Sequence, residues 1–329
     1  MKKVLIVLLM LAVAGAAFAD VTGFGRVWTD FGGSVDLKKD SYNHAWIFGI
    51  SPQMGLRAEG DNVSAWVRWD GVGINANATG FADILTGGWK ADATVNLGDF
   101  ALSTGLNQLC WAQWSNFAFL DDGNYGFGAS SSNKTVYIQG AFAGAYFGLA
   151  EAGIASKETR FAPFPGFYAG YDFIPEDGPV SAGAAFAGLI SKHSAPTAKD
   201  PKNLDSTFAF MGNAHAKFSF DPVGLGINIA FYGNPGDGYF TVFSGGDKVL
   251  EAMVDAGIGL DACAIGISGA LLMGIFDDKN VDNSVAIKIA ASASFDLGGG
   301  FQLIPGVCFN TEINGGSGLD VGVSLAYSF

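Results

Sequence analysis

Four basic residues, Arg26, Arg57, Arg68 and Lys90, carry the clearest chemical pattern in this chain. Each lies in its own stretch of alternating apolar and polar residues, and each falls on the polar phase. Alternation sends successive side chains to opposite faces of a strand, so the four project from one face of four consecutive strands. Solvation in a wet lumen explains any one of them. Four in succession on one face are less readily put down to chance. Lys217 and Lys288 share that face farther along the chain.

Groups for catalysis are sparse. Of the three histidines, His44, His193 and His215, only His193 has hydroxyls close by, at Ser191 and Ser194, and no acidic partner stands near it in sequence. A nucleophile with its base and orienting acid is therefore not expected, and the chain is not expected to be an enzyme. No His/Cys/Asp spacing matches a metal-ligand set, and no cofactor is expected. Cys110, Cys263 and Cys308 are odd in number and widely spaced, which suits buried or lipid-facing thiols; one bridge plus one free thiol stays open.

The elements that must position the charges follow from period-two alternation. The last eleven residues show it best: Leu319, Val321, Val323, Leu325, Tyr327 and Phe329 alternate with Asp320, Gly322, Ser324, Ala326 and Ser328. An ordinary strand has about five or six residues, whereas about nine to eleven tilted residues cross a bilayer. The pattern recurs over 21–31, 44–58, 63–75, 87–97, 100–111, 134–142, 145–156, 166–175, 179–192, 206–220, 224–233, 249–260, 263–276, 284–297, 301–313 and 319–329. These are sixteen strands. Connectors after even-numbered strands are short: Glu59-Gly-Asp-Asn62, Gly98-Asp99, Ala143-Gly144, Pro175-Glu-Asp-Gly178, Asp221-Pro-Val223, Asp261-Ala262 and Gly298-Gly-Gly300. Those after odd strands are mostly longer, about 5 to 22 residues, the alternation of periplasmic turns with external loops. Pro52 and Pro305 fall inside strands and predict bulges, because proline cannot donate to a ladder.

Composition supports a lipid-facing sheet. Hydrophobic residues are 49% and charged residues 15%, with 48 Gly and 28 Phe, yet past the N-terminal segment no apolar run is long enough for a membrane helix. Met1-Lys2-Lys3, the apolar stretch Val4 to Ala14 and Ala17-Phe18-Ala19 read as a signal peptide over 1–19, leaving a barrel over 20–329. Without Lys2 and Lys3 there are 16 basic and 31 acidic residues, a net charge of −15, which argues against nucleic acid as a partner. The chain is read as an all-β, transmembrane, antiparallel up-and-down barrel of about sixteen strands in the cell outer membrane. Sixteen strands enclose an aqueous lumen, whereas eight are filled by their own side chains.

The terminal strand ending on Tyr327-Ser-Phe329 resembles the closing strand of bacterial outer-membrane barrels, whose terminal Phe is read by the barrel-assembly machinery. With the sixteen strands and the long third external connector, about Ala112 to Asn133, the chain resembles the general porins of Gram-negative bacteria. That resemblance implies a passive channel for small hydrophilic solutes or ions, a homotrimer among outer-membrane lipids, and a third loop folded into the lumen. Asp121 and Asp122 of Phe119-Leu-Asp-Asp-Gly123 would then face a basic wall of Arg57, Arg68 and Lys90, with Arg26 nearby. The family's Pro-Glu-Phe-Gly-Gly stretch is absent from this loop. The acidic balance favours mild cation preference. The alternative is a surface-exposed structural or adhesin barrel without dedicated transport, for which the loops are modest in size.

Overall fold

The structure is a computed structural model that describes residues 20–37, 43–70, 73–77, 80–85, 88–107, 109, 135–150, 166–174, 178–194, 204–234, 246–277, 282–313 and 315–329. Every regular element among them is a strand: β1 (Asp20–Asp36), β2 (Asn43–Glu59), β3 (Val63–Asp70), β4 (Gly73–Asn77), β5 (Gly80–Leu85), β6 (Trp89–Leu97), β7 (Phe100–Asn107), β8 (Thr135–Phe142), β9 (Ala145–Ala150), β10 (Gly166–Phe173), β11 (Val180–Ser194), β12 (Leu204–Phe220), β13 (Val223–Gly233), β14 (Lys248–Leu260), β15 (Cys263–Ile275), β16 (Ser284–Gly298), β17 (Phe301–Glu312) and β18 (Ser317–Ser328). All pairings are antiparallel; most join consecutive strands, β2 also pairs with β4 and β3 with β6, and β1 pairs with both β2 and β18. The sheet is closed and has no edge, the only arrangement that satisfies a spanning sheet in lipid.

Eighteen strands build sixteen staves. β3 and β4 both pair with β2. β6 pairs with β3 and β5 with β4 in a register that carries over from Trp69 opposite Trp89 to Gly73 opposite Leu85 and shifts by one residue between Asn75 and Ala76. Each of the third and fourth staves is therefore two strands end to end. The long connector expected at 76–86 is a correction: strand pairing runs to Asn77 and resumes at Gly80. Gly, Asn and Thr crowd the stretch from Gly71 to Gly80, a composition that reads as loop.

The two prolines behave differently. β2 pairs with β1 without a break through Val27 opposite Pro52. On its other side the register against β4 (Ile50 opposite Ile74) is offset by one residue from that against β3 (Gln53 opposite Asp70). That is the irregularity expected of a proline without a donor. At Pro305 the register does not make the expected shift, but the β16–β17 pairing is interrupted there, between Ser292 opposite Gly306 and Phe295 opposite Leu303. Pairing with β18 passes straight through Pro305 opposite Val323, and the register shift in β16–β17 lies instead at Asp296/Gly298. Asp296 accepts a hydrogen bond from the Gly298 backbone N–H at 2.8 Å, which holds that corner.

All seven short connectors fall between paired strands at one rim. At Ala143-Gly144 both residues have positive φ, 49° and 84°, as a two-residue primed hairpin turn requires. The outward face is apolar. Ile229, Ile267, Leu271, Val321 and Leu325 stand well exposed on it. Phe142, Phe147, Phe173, Phe220, Phe301 and Phe329 are exposed toward the short-turn rim, and Phe48, Trp89, Phe208 and Phe231 toward the other. Two aromatic belts around an aliphatic band are the signature of a membrane-embedded barrel wall.

Candidate functional site: the lumen wall

The inward face carries a charged sector and an apolar cluster. The charged sector spans β1, β2, β3 and β6. The Arg26 guanidinium lies 3.5 Å over the Trp28 ring centroid. Such stacking holds the guanidinium flat along the wall. Arg57 Nε bonds Glu59 Oε1 at 2.8 Å, with both side chains more than half exposed. Arg68 Nε donates to Asp70 Oδ1 at 2.7 Å, and Lys90 Nζ lies 3.6 Å from Asp70 Oδ2. Asp92, the next inward residue on β6, accepts from the Tyr137 hydroxyl and from Asn107 Nδ2, both at 2.7 Å.

The structure thus places Arg26, Arg57, Arg68 and Lys90 on the inner wall, and Asp70 brings the last two together. Asp121 and Asp122 lie outside the described residues. The carboxylates that hold the cations, Glu59 and Asp70, and the neighbouring Asp92 were not singled out in the sequence. A signal for two of them was present: Arg57/Glu59 and Arg68/Asp70 are spaced two apart, which puts both members of each pair on one strand face. The Asp92–Tyr137 contact had no such signal, since the two are 45 residues apart in sequence.

An apolar cluster runs along the inward face from β8 to β14, with polar and charged residues such as Asp172, His215, Asn228 and Glu251 set among it. Tyr137, Ala150, Tyr168, Ala187, Leu189, Met211, Tyr232 and Val249 form one buried cluster there, and Leu109 belongs to it. Leu109 is in the connector that leads from β7 toward β8, so the start of that connector packs on the inner wall. Within these strands, Glu251 of β14 and Asn228 of β13 are fully buried, and Asn213 Nδ2 of β12 donates to Asn228 Oδ1 at 3.3 Å. Cys308 is buried and free, and Cys263 is free; Cys110 lies outside the described residues.

The C-terminal residues complete the ring. β1 and β18 pair from Arg26 opposite Ser328 to Asp36 opposite Gly318. Gly25 N donates to Phe329 O at 2.9 Å and Phe329 N donates to Gly25 O at 3.0 Å. The Phe329 ring covers Gly25 and stacks at 5.8 Å on Tyr327, which packs at 4.5 Å on Phe301.

A closed, sixteen-stave antiparallel barrel with an apolar belt outside and charges inside defines the fold of the outer-membrane porins. No protein-family model matches the chain, and no curated protein matches it in sequence. Solved structures match over nearly their whole length. The outer-membrane channel DcaP of Acinetobacter baumannii superposes with a TM-score of 0.68 at 14% identity, over 95% of this chain and 98% of that one. The OmpF of Salmonella typhi, solved with daunomycin, gives 0.58 at 13% identity, over 96% and 99%. An anion-selective porin from Comamonas acidovorans gives 0.56 at 16% identity, over 94% and 100%.

Proposed function

We propose that the chain is an outer-membrane diffusion channel for small hydrophilic solutes or ions. The observation that carries the reading is the closed sixteen-stave ring with a charged sector on its inner wall. Filtering occurs between that sector and the connector running through 112–133. Packing of Leu109 among the inward residues supports a connector that enters the lumen from the side of the apolar cluster. Asp121 and Asp122 then look across at Arg26, Arg57, Arg68 and Lys90. Solutes are sorted by size and by fit to the field across the gap. Residues 1–19 direct export, Tyr327 and Phe329 present the strand that the assembly machinery reads, and three copies associate through the lipid-facing wall.

Purified, SDS-resistant protein in a planar bilayer is expected to give ohmic conductance steps. A folded preparation that gives none rejects the channel reading and favours the structural or adhesin alternative. In a KCl gradient the reversal potential should indicate mild cation preference. Asp70→Asn tests the charged sector directly. Without the carboxylate shared by Arg68 and Lys90, both cations face the lumen unpaired and the reversal potential moves toward anions. An unchanged or cation-shifted value removes this cluster from the filter.

A further inference from the structure

Asp172 of β10, Gly183 of β11 and His215 of β12 stand opposite one another in consecutive registers. Strands two apart in a sheet are separated by about 10 Å, too far for short side chains to meet across an occupied middle strand. Asp172 Oδ1 nevertheless lies 3.3 Å from His215 Nε2. The gap closes because both side chains lie flat over Gly183. A Cβ there would clash with Asp172 Oδ1 and lie 2.6 Å from His215 Cε1 and Nε2, and all three of those nearest atoms belong to side chains. Asn213, the next inward residue on β12, approaches the other imidazole nitrogen, with Nδ2 3.5 Å from Nδ1. The Asp92–Tyr137 bond crosses Gly105 in the same manner. There, however, the Ala91 backbone oxygen also crowds the missing Cβ, so that glycine serves the backbone as well.

We propose that Gly183 is a specificity-determining position of the lumen: its bare Cα lets Asp172 and His215 pair flat on the wall at the short-turn mouth and withholds a carboxylate from the path of ions. The proposal rests on the channel reading for its effect on selectivity, but not for the pairing itself. Asp172 is the penultimate residue of β10, next to the short-turn rim. Lys217, the next inward residue toward that rim on β12, faces Asp255 across Gly226. A methyl group at position 183 lifts the Asp172 carboxylate off the wall and parts it from the imidazole.

Two readouts test this on the folded full-length protein. Modification of the Asp172 carboxyl by a water-soluble carbodiimide and a small amine, read by peptide mass spectrometry, should be several-fold faster in Gly183→Ala than in the parent. Equal rates in the two overturn the proposal, whether or not the protein conducts. In bilayers, Gly183→Ala should shift the reversal potential toward cations, and the shift should vanish when Asp172→Asn is also present. A shift of the same size in both backgrounds reflects a general change of the wall and overturns the selectivity role. Gly183→Ala that labels faster beside a parent that never conducts keeps the pairing and sinks the channel reading instead.

Discussion

Deleting Phe329, or replacing Gly25 with valine, is expected to abolish most of the folded barrel. The terminal residue does more than mark the chain end. Its N–H and C=O both bond to Gly25, at 3.0 and 2.9 Å, and extend the β1–β18 ladder that closes the ring. Deletion leaves both Gly25 groups without partners in an apolar setting, at roughly 1–3 kcal/mol each. It also removes a ring stacked on Tyr327, which is in turn packed on Phe301. Gly25→Val acts from the other side, because the Phe329 ring occupies the space of a Cβ at Gly25. The ring must leave its place over Gly25 and lose its stacking on Tyr327, which loosens the last ladder pair. Gly23 is the internal control. It lies two residues away on the same face, and a Cβ there meets nothing within 4 Å. Gly23→Val should refold into vesicles as well as the parent, measured as the fraction of heat-modifiable band on SDS gels. If all three variants refold equally, the closing contact at Gly25 is dispensable.

Ile229→Arg is expected to destabilise the barrel by about 2–4 kcal/mol, the cost of a charged side chain facing lipid near the bilayer midplane. Ile229 is 51% exposed and sits within β13, whose outward neighbours Leu225, Ile227 and Phe231 are also exposed. In a water-soluble sandwich the same exposed site would tolerate arginine within about 0.5 kcal/mol. Urea unfolding from lipid vesicles, compared with Ile229→Ala, separates the two cases. A near-neutral Ile229→Arg would mean that this wall does not face lipid.

Most of the fold was legible in the sequence because a barrel is built from local signals. Alternation along Leu319–Phe329 fixes which residues face out, and the exposure of Val321, Leu325 and Phe329 follows it. Tight turns such as Ala143-Gly144 mark one rim by their own chemistry. The end of β4 and all of β5 fall in the stretch 76–86 that reads as connector, although Gly73–Asn75 lie inside the strand read over 63–75. Proline gave half an answer. It removes a donor at both Pro52 and Pro305, but only the partner strand decides whether the ladder shifts to absorb the loss.

The lumen was legible as a list of inward residues and not as a set of contacts. The basic character at Arg26, Arg57, Arg68 and Lys90 follows from phase alone. That Asp70 serves both Arg68 and Lys90, that Asp92 reaches Tyr137, and that Asp172 meets His215 over Gly183 do not. The sequence by itself determined the class of sheet, the number of staves, the two faces and the rim that carries the short turns, because each depends on residues one or two apart. Only the tertiary structure decided which charges neutralise one another and which glycines they cross. Those contacts join strands 20 to 45 residues apart and depend on register around the closed ring, which no local spacing encodes.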